Sequence, residues 1–403
     1  MKRIEGGVCA AKGYTAAGVN CGIRKNKLKK DLALIVSAVP AACACVYTQN
    51  LVQGAPIAVT KENVANGYAQ AIICNSGNAN TCNSNGVEIA QKMCQLVGKT
   101  LGISPSDVVV ASTGVIGKPL SIEPIAEGIP VLAGLLAQDS NGAAEAIMTT
   151  DVKKKEIAVE FTLGGAVCRM GGIAKGSGMI QPNMATMLGF ITTDAAITPQ
   201  MLQKALSADV PESFNMVSID GDTSTNDMVT ILANGLAGNP IVDSEGADYD
   251  AFCAALRKVT LYLTRAIAGD GEGATKLIVC SVSGAKDVAS AKKLAKSVIN
   301  SPLVKCAMFG ADANWGRVLC ALGYAGIPLD VHKIAVAFAS SSGKVEVCKN
   351  GAGLDFSEAQ AKIVLTAPEI EILISLAEGD SFATAYGCDL TYDYVKINGD
   401  YRT

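Results

Sequence analysis

The stretch KEIAVEFTLGGAVCRMGGIA, residues 155 to 174, constrains the fold more than any other part of the chain. Two β-rich runs flank Gly164-Gly165, and paired glycines supply the left-handed backbone that a two-residue hairpin turn demands. An antiparallel pair is therefore written into the chain, which excludes a strict βαβ alternation. Helical patterns elsewhere exclude an all-β design. NGVEIAQKMCQLVGKTLGI and DYDAFCAALRKVTLYLTRAIAGD carry apolar residues at helical spacing, the second closing at Gly269, where a C-cap glycine is expected. DVASAKKLAKSVINSP is a third such helix, stopped near Pro302. Hairpins mixed with helices leave a layered α/β or α+β architecture.

With 403 residues the chain is too long for one ordinary core, so more than one domain is expected. LIVCSVSGA opens a new strand, helix, strand series, which places a boundary near residue 276. Residues 1–275 then form the larger domain and 276–386 a second, smaller α/β domain, followed by the tail 387–403. No uninterrupted stretch approaches the ~20 apolar residues of a membrane span. The start, MKRIEGGVCAAKGY, puts Glu5, Gly6 and Gly7 where a signal peptide has its apolar core, so a cytoplasmic protein is expected. The fourteen cysteines read as reduced thiols packed as small hydrophobes, among them Cys74, Cys94, Cys253, Cys280 and Cys320. A net charge of −3 without long charged runs argues against a nucleic-acid surface, and RKNKLKK (Arg24 to Lys30) reads as a solvated loop.

The chain has one histidine, His332, at the start of an expected strand. A two-histidine metal site is impossible within one chain, and a Ser-His-Asp or Cys-His mechanism would rest wholly on this strand-edge residue. Cys43-Ala-Cys45 is weak evidence for a metal without a second pair. GDGEGATK (269 to 276) lacks the spacing of a phosphate-wrapping loop, and no GxGxxG opens a helix after the first strand. No metal and no organic cofactor are expected.

A nucleophile that carries its own base needs no histidine. If the peptide bond before a threonine is cut, the new α-amine lies close enough to take the hydroxyl proton, and an amine pKa near ~8 suits that task. GMIQPNMATMLGFITTDA places Thr186 after a glycine-bearing loop with Lys175, Gly176, Gly178 and Pro182 upstream. By spacing alone Thr186 reads first as a buried strand residue and only second as a nucleophile.

KGSGMIQPNMATMLGFITTDA resembles the self-cleavage motif of the ornithine acetyltransferase family, the bifunctional glutamate N-acetyltransferases of arginine biosynthesis. GGVCAAKGYTAAGVNCGI, KDLALIVSAVPAACACVYTQN, CNSGNAN, VVVASTGVIG, GDGEGATK, GADANWGR and CDLTYDYVKINGDYRT follow the family's order across nearly the whole chain. The resemblance implies a layered α/β self-processing fold, with the tail returning to the larger domain. It implies cleavage between Ala185 and Thr186, giving an α fragment 1–185 and a β fragment 186–403 that stay associated as α2β2 or a larger assembly. It assigns Thr186 as nucleophile and Thr113 and Gly114 as the oxyanion hole. It also assigns Thr149, Lys175, Thr186, Glu272, Asn398 and Thr403 as substrate contacts.

The implied substrates are N2-acetylornithine and glutamate, and the use of acetyl-CoA as a further donor stays open. These residue types suit an amino-acid ligand, because Lys175 can meet a carboxylate and Glu272 an ammonium group. Without the resemblance, Lys175 and Glu272 read as solvated loop charges, Thr149 as a helix end, and Asn398 with Thr403 as a frayed tail. Asn75, Ser76, Asn78 and Asn80 of CNSGNAN read as scaffold near the site. Asp312, Asn314, Trp315 and Arg317 of GADANWGR read either as substrate contacts or as a structural network. Asn83 and Ser84, and the cysteines of PAACACVYT, depart from the family pattern without touching an assigned residue. Two other functions fit the same residues: a self-processing amidase or aminopeptidase in which water takes the acyl group, and a non-enzymatic binding scaffold.

Overall fold

The computed structural model describes residues 1–181 and 187–400. The described residues fall into two compact units, 1–176, 187–215 and 223–263 in the first, and 177–181, 216–222 and 264–400 in the second. Both are mixed α/β, in agreement with a layered α/β protein that has a second, smaller α/β part.

The first unit is built on β1 (Lys2–Ile4), β2 (Tyr14–Val19), β3 (Leu32–Tyr47), β4 (Tyr68–Asn78), β5 (Val108–Val115), β6 (Lys155–Leu163), β7 (Ala166–Lys175), β8 (Leu188–Thr193) and β9 (Met228–Ala233). They lie in the order β1-β6-β7-β8-β9-β3-β4-β5, with β2 also on β3. The β4/β5 and β8/β9 pairs are parallel and the others antiparallel. The expected hairpin forms with Leu163 opposite Ala166, and Gly164 and Gly165 take φ values of 52° and 84°. That is the type I′ geometry for which glycine carries no steric cost.

The long strand β3 joins two halves of the sheet. Its register shifts between Val36 and Ala41, at a segment containing Pro40, which has no N–H to give a ladder. Residues before the shift pair with β2 and β4; after it Ala41 and Ala42 still pair with β4, and Ala42 to Tyr47 pair with β9. Alternation along the strands then builds the layers. Ile72, Cys74, Val109 and Ala111 share one core with Ile173, Phe190, Met228 and Leu232 from the other half. The opposite face of β4 and β5 (Ala71, Ile73, Val108, Val110) packs on Ile89, Met93 and Val97 of the helix Gly86–Leu101 and Ile125 and Ile129 of the helix Glu123–Gly134. On the far face of β6 and β7, Phe252 of the helix Ala247–Ala268 meets Phe161 edge-on at 6.4 Å, and Val259 and Leu263 lie over Gly172. The result is a helix, sheet, sheet, helix stack, each buried large apolar side chain contributing about 1.5–3 kcal/mol.

The second unit carries β10 (Leu277–Ala285), β11 (Ala335–Ser340), β12 (Gly343–Lys349), β13 (Ala352–Gly353), β14 (Glu369–Ser375) and β15 (Ser381–Cys388), ordered β13-β12-β11-β14-β10-β15. The helix Val288–Asn300 packs on β10 and β15, and the helix Glu358–Leu365 on β11 and β12.

Local details depart from the sequence expectations. His332 is in an exposed single turn, Val331–Lys333, before the strand begins at Ala335. Gly269 is not left-handed: its N–H still bonds Arg265 O at 2.9 Å, so the helix winds down without an αL cap. Gly102, with φ of 71°, supplies that cap for the helix Gly86–Leu101. The third expected helix does stop before Pro302, at Asn300, and Pro302 starts the next helix, Pro302–Phe309, where Ser301 caps Val304 N. Cys320 is exposed and Cys253 half-buried, because Cys320 lies off the buried Val318, Ala321, Leu322 stripe of its helix.

Candidate active site

The parallel strands β4 and β5 run in register through Asn75 opposite Ser112, Ser76 opposite Thr113 and Gly77 opposite Gly114, then slip at Asn78. Gly114 has φ of +133°, and a Cβ there would stand 2.5 Å from Asn78 N and closer still to the Gly77 carbonyl carbon. Only glycine lets the two backbones approach this closely. Polar side chains hold the approach from both flanks. Ser112 Oγ donates to Asn75 Oδ1 at 2.6 Å, and Asn75 Nδ2 donates to Asn78 O at 2.9 Å. From the other flank Asn226 Nδ2 donates to Ala79 O at 2.6 Å and to Ser112 O at 3.0 Å. Asn226 Oδ1 in turn accepts from Thr81 and Thr225, each at 2.5 Å.

Thr113 is 8% exposed and faces Lys175, the last residue of β7, whose Nζ donates to Thr113 Oγ1 at 3.3 Å. An ammonium has donors only, so the Thr113 oxygen is the acceptor here and its own proton is left to donate elsewhere. Among the described residues that proton meets no acceptor. A hydroxyl so held beside Gly114 has a proton that can be donated to an anionic oxygen.

Lys175 belongs to a buried charge cluster. Asp151 Oδ1 accepts from Lys155 Nζ at 2.6 Å and from Gly176 N at 2.8 Å, while Oδ2 accepts from Thr149 N at 2.9 Å. Burial opposes the charged form of Asp151, but Lys155, Lys175 and these hydrogen bonds prevail and hold its carboxyl well below the usual range. Burial pulls the Lys175 ammonium down, against Asp151 and Asp227 and with help from Lys155. Asp227 immediately precedes β9 and is 3% exposed. Burial pushes its carboxyl well up, against hydrogen bonds from Ser224 and the Met187 N–H and the charge of Lys175. Asp227 Oδ2 has no hydrogen-bond partner among the described residues.

In the second unit Glu272 is 6% exposed, its N–H bonds Ser177 O at 2.8 Å, and Oε2 accepts from Asn398 Nδ2 at 2.7 Å. Asn398 also donates to Tyr394 O at 3.0 Å within the helix Tyr392–Gly399. A Cβ at Gly178 would come 2.5 Å from the Glu272 Oε1, so glycine opens the space for that carboxylate.

The structure thus groups Thr113, Gly114, Lys175 and, through Asp151, Thr149 in one unit, and Glu272 with Asn398 in the other. Ala185, Thr186 and Thr403 lie outside the described residues. The CNSGNAN side chains Asn75, Ser76, Asn78 and Asn80 donate to backbone carbonyls where β4 ends beside β5. In GADANWGR, Asn314 caps the helix Trp315–Gly323 by accepting from Arg317 N at 3.2 Å, and Arg317 donates to Leu303 O at 2.9 Å, a structural network. Sequence reasoning missed Asp151, Lys155, Asn226 and Asp227. Lone polar residues carry no periodic signal; the only available cue was the dense polar run Thr223 to Asp227 before an apolar strand.

The ArgJ family model matches residues 15–403. The arginine biosynthesis bifunctional protein of Symbiobacterium thermophilum is 50% identical over 406 residues, covering 100% of both chains. Its Bacillus subtilis counterpart is 46% identical over 403 residues, covering 100% of this chain and 98% of the relative. With these relatives, the α/β chain is an acyltransferase enzyme. Among solved structures, ornithine acetyltransferase of Mycobacterium tuberculosis, complexed with ornithine, is 32% identical with a TM-score of 0.42, over 46% of this chain and 99% of that one. The chain belongs to the ArgJ family of bifunctional arginine biosynthesis proteins.

Proposed function

We propose that the protein transfers an acetyl group from N2-acetylornithine to glutamate through an acetyl-threonine intermediate on Thr186. The chain first cleaves itself. The Thr186 hydroxyl attacks the Ala185 carbonyl, the acyl group moves from nitrogen to oxygen, and water releases the ester, leaving Thr186 with a free amine.

In turnover that amine takes the hydroxyl proton as Oγ attacks the acetyl carbonyl. Thr113 O–H and Gly114 N–H meet the developing oxyanion, the C–N bond breaks, and the proton passes to the leaving nitrogen of ornithine. Glutamate then attacks the acetyl-threonine with its neutral amine, the C–Oγ bond breaks, the amine's proton passes through the Thr186 amine to the leaving Oγ, and glutamate leaves acetylated. Lys175 receives the substrate carboxylate, Glu272 and Asn398 its ammonium end, and Thr149 and Thr403 complete the polar contacts. The fragments assemble as α2β2 or larger in the cytoplasm, and acetyl-CoA is a second donor to be tested.

The observation that carries this reading is the Thr113 hydroxyl, held as a donor by Lys175 beside the glycine-enforced approach at Gly114. Initial rates over both substrates test it. Parallel double-reciprocal lines with acetylglutamate as product support the transfer. Acetate release at the same rate without glutamate makes the protein an amidase instead.

A further inference from the structure

Asp227 is a buried carboxyl that the chemistry above does not use. It stands where three strand ends form one row, because Lys175 pairs with Leu188 and Leu188 pairs with Met228. Met228 N bonds Met187 O at 3.0 Å, and the Met187 N–H in turn faces the Asp227 carboxyl. Backbone bonds fix the residue, since Thr48 N bonds Asp227 O at 3.0 Å and Thr48 Oγ1 bonds Ser224 O at 2.8 Å. One carboxyl oxygen is buried with no partner among the described residues, a state that leaves its desolvation uncompensated. The charged groups around it are Lys175, with Asp151 and Lys155 behind that lysine.

Met187 follows Thr186 directly, so the nitrogen of Thr186 is one residue from the N–H that already meets this carboxyl. An unpartnered, buried acid at that place is suited to a group that appears only on cleavage.

We propose that Asp227 is the positioning residue of the Thr186 amine and shares one proton with it. The inference rests on the reading of Thr186 as a self-released N-terminal nucleophile. In the intact chain the carboxyl is protonated. As the Ala185–Thr186 C–N bond breaks, the departing N–H takes one proton from the attacking Thr186 hydroxyl and a second from Asp227, which becomes the carboxylate that orients the new ammonium. In turnover the proton moves from the ammonium back to Asp227, which leaves a neutral amine to take the hydroxyl proton. No proton is created or lost in this exchange, and no other reactant is needed.

The test uses Asp227→Asn and Asp227→Glu in the full-length chain. Cleavage is followed on denaturing gels, and kcat/KM is followed against pH, normalised to the β fragment present. Asp227→Asn is expected to slow cleavage by roughly 10²-fold, the range of a lost proton donor, with the unfolding temperature unchanged or raised. Any mature Asp227→Asn enzyme should show its acidic limb displaced to lower pH, because a carboxylate that favoured the ammonium is gone. Asp227→Glu should recover much of the cleavage rate and the original limb. If Asp227→Asn fails to fold, the cleavage rate of Asp227→Glu against wild type decides: a rate lost as fully as in an unfolded chain overturns the inference. A wild-type cleavage rate with a superimposable pH profile for Asp227→Asn also overturns it. Failure of the underlying reading looks different, as a wild-type preparation that is active with no fragment beginning at Thr186.

Discussion

Replacing Gly114 by alanine separates the oxyanion geometry from ordinary backbone strain. The new Cβ would sit 2.5 Å from Asn78 N, where carbon and nitrogen normally meet at about 3.5 Å, so one backbone must retreat by about 1 Å. Asn78 cannot retreat freely, because its carbonyl accepts from Asn75 and its Nδ2 donates to Lys118 O at 2.9 Å. Gly114 itself has to move, which displaces a proposed oxyanion donor. Loss of one such donor lowers kcat by ~10²–10³-fold, about 2.7–4 kcal/mol. The positive φ adds about 1–3 kcal/mol of instability. Gly117 is the control, with φ of +74° and nothing within 4 Å of its would-be Cβ. Gly117→Ala should lose about 1 kcal/mol of stability to strain alone and keep its kcat. Steady-state kinetics normalised to cleaved enzyme, with thermal unfolding alongside, measure both effects. Wild-type kcat in Gly114→Ala refutes the assignment of this approach to catalysis.

Asp151→Asn strips the counter-charge from buried Lys155 and Lys175 and should destabilise the protein by about 3–5 kcal/mol near neutral pH. Because the Asp151 carboxyl is held low in the folded state, its contribution is present above the ordinary carboxylate range and fades as pH falls through the folded value. Unfolding curves of wild type and variant should therefore converge only below about pH 4. Glu272→Gln should raise KM by about 10–100-fold with a smaller change in kcat, the size of a lost charge-assisted hydrogen bond, as read from initial rates over acetylornithine. Deleting residues 398–403 removes Asn398 from Glu272 and should cut activity sharply while the chain still cleaves on a gel.

The parts of this molecule legible in sequence are those encoded locally. Gly164-Gly165 fixes its turn by backbone freedom, and the helices Gly86–Leu101 and Val288–Asn300 declare themselves by apolar period. The bend of β3 at Pro40 and the double pairing of that strand depend on partners far along the chain, and no local pattern reports them. The site divides in the same way. Thr113, Gly114, Glu272 and Asn398 came from the ordered series of family motifs. Taken alone, Lys175 reads as a solvated charge; it is 7% exposed because β7 carries it into the cluster with Asp151 and Asp227. Those two aspartates gain meaning only through burial and through the Lys175 they share, which lies far from both in the chain.

The central claim is that Thr186 becomes the N-terminus of a fragment and carries the acetyl group. Purified protein incubated with N2-acetylornithine, without glutamate, and quenched in acid permits intact-mass analysis and N-terminal sequencing of each chain. The prediction is a fragment beginning TMLGF that gains one acetyl group at Thr186 and loses it when glutamate is added. An active preparation holding only the full-length chain, or a fragment that stays unmodified during turnover, would contradict it.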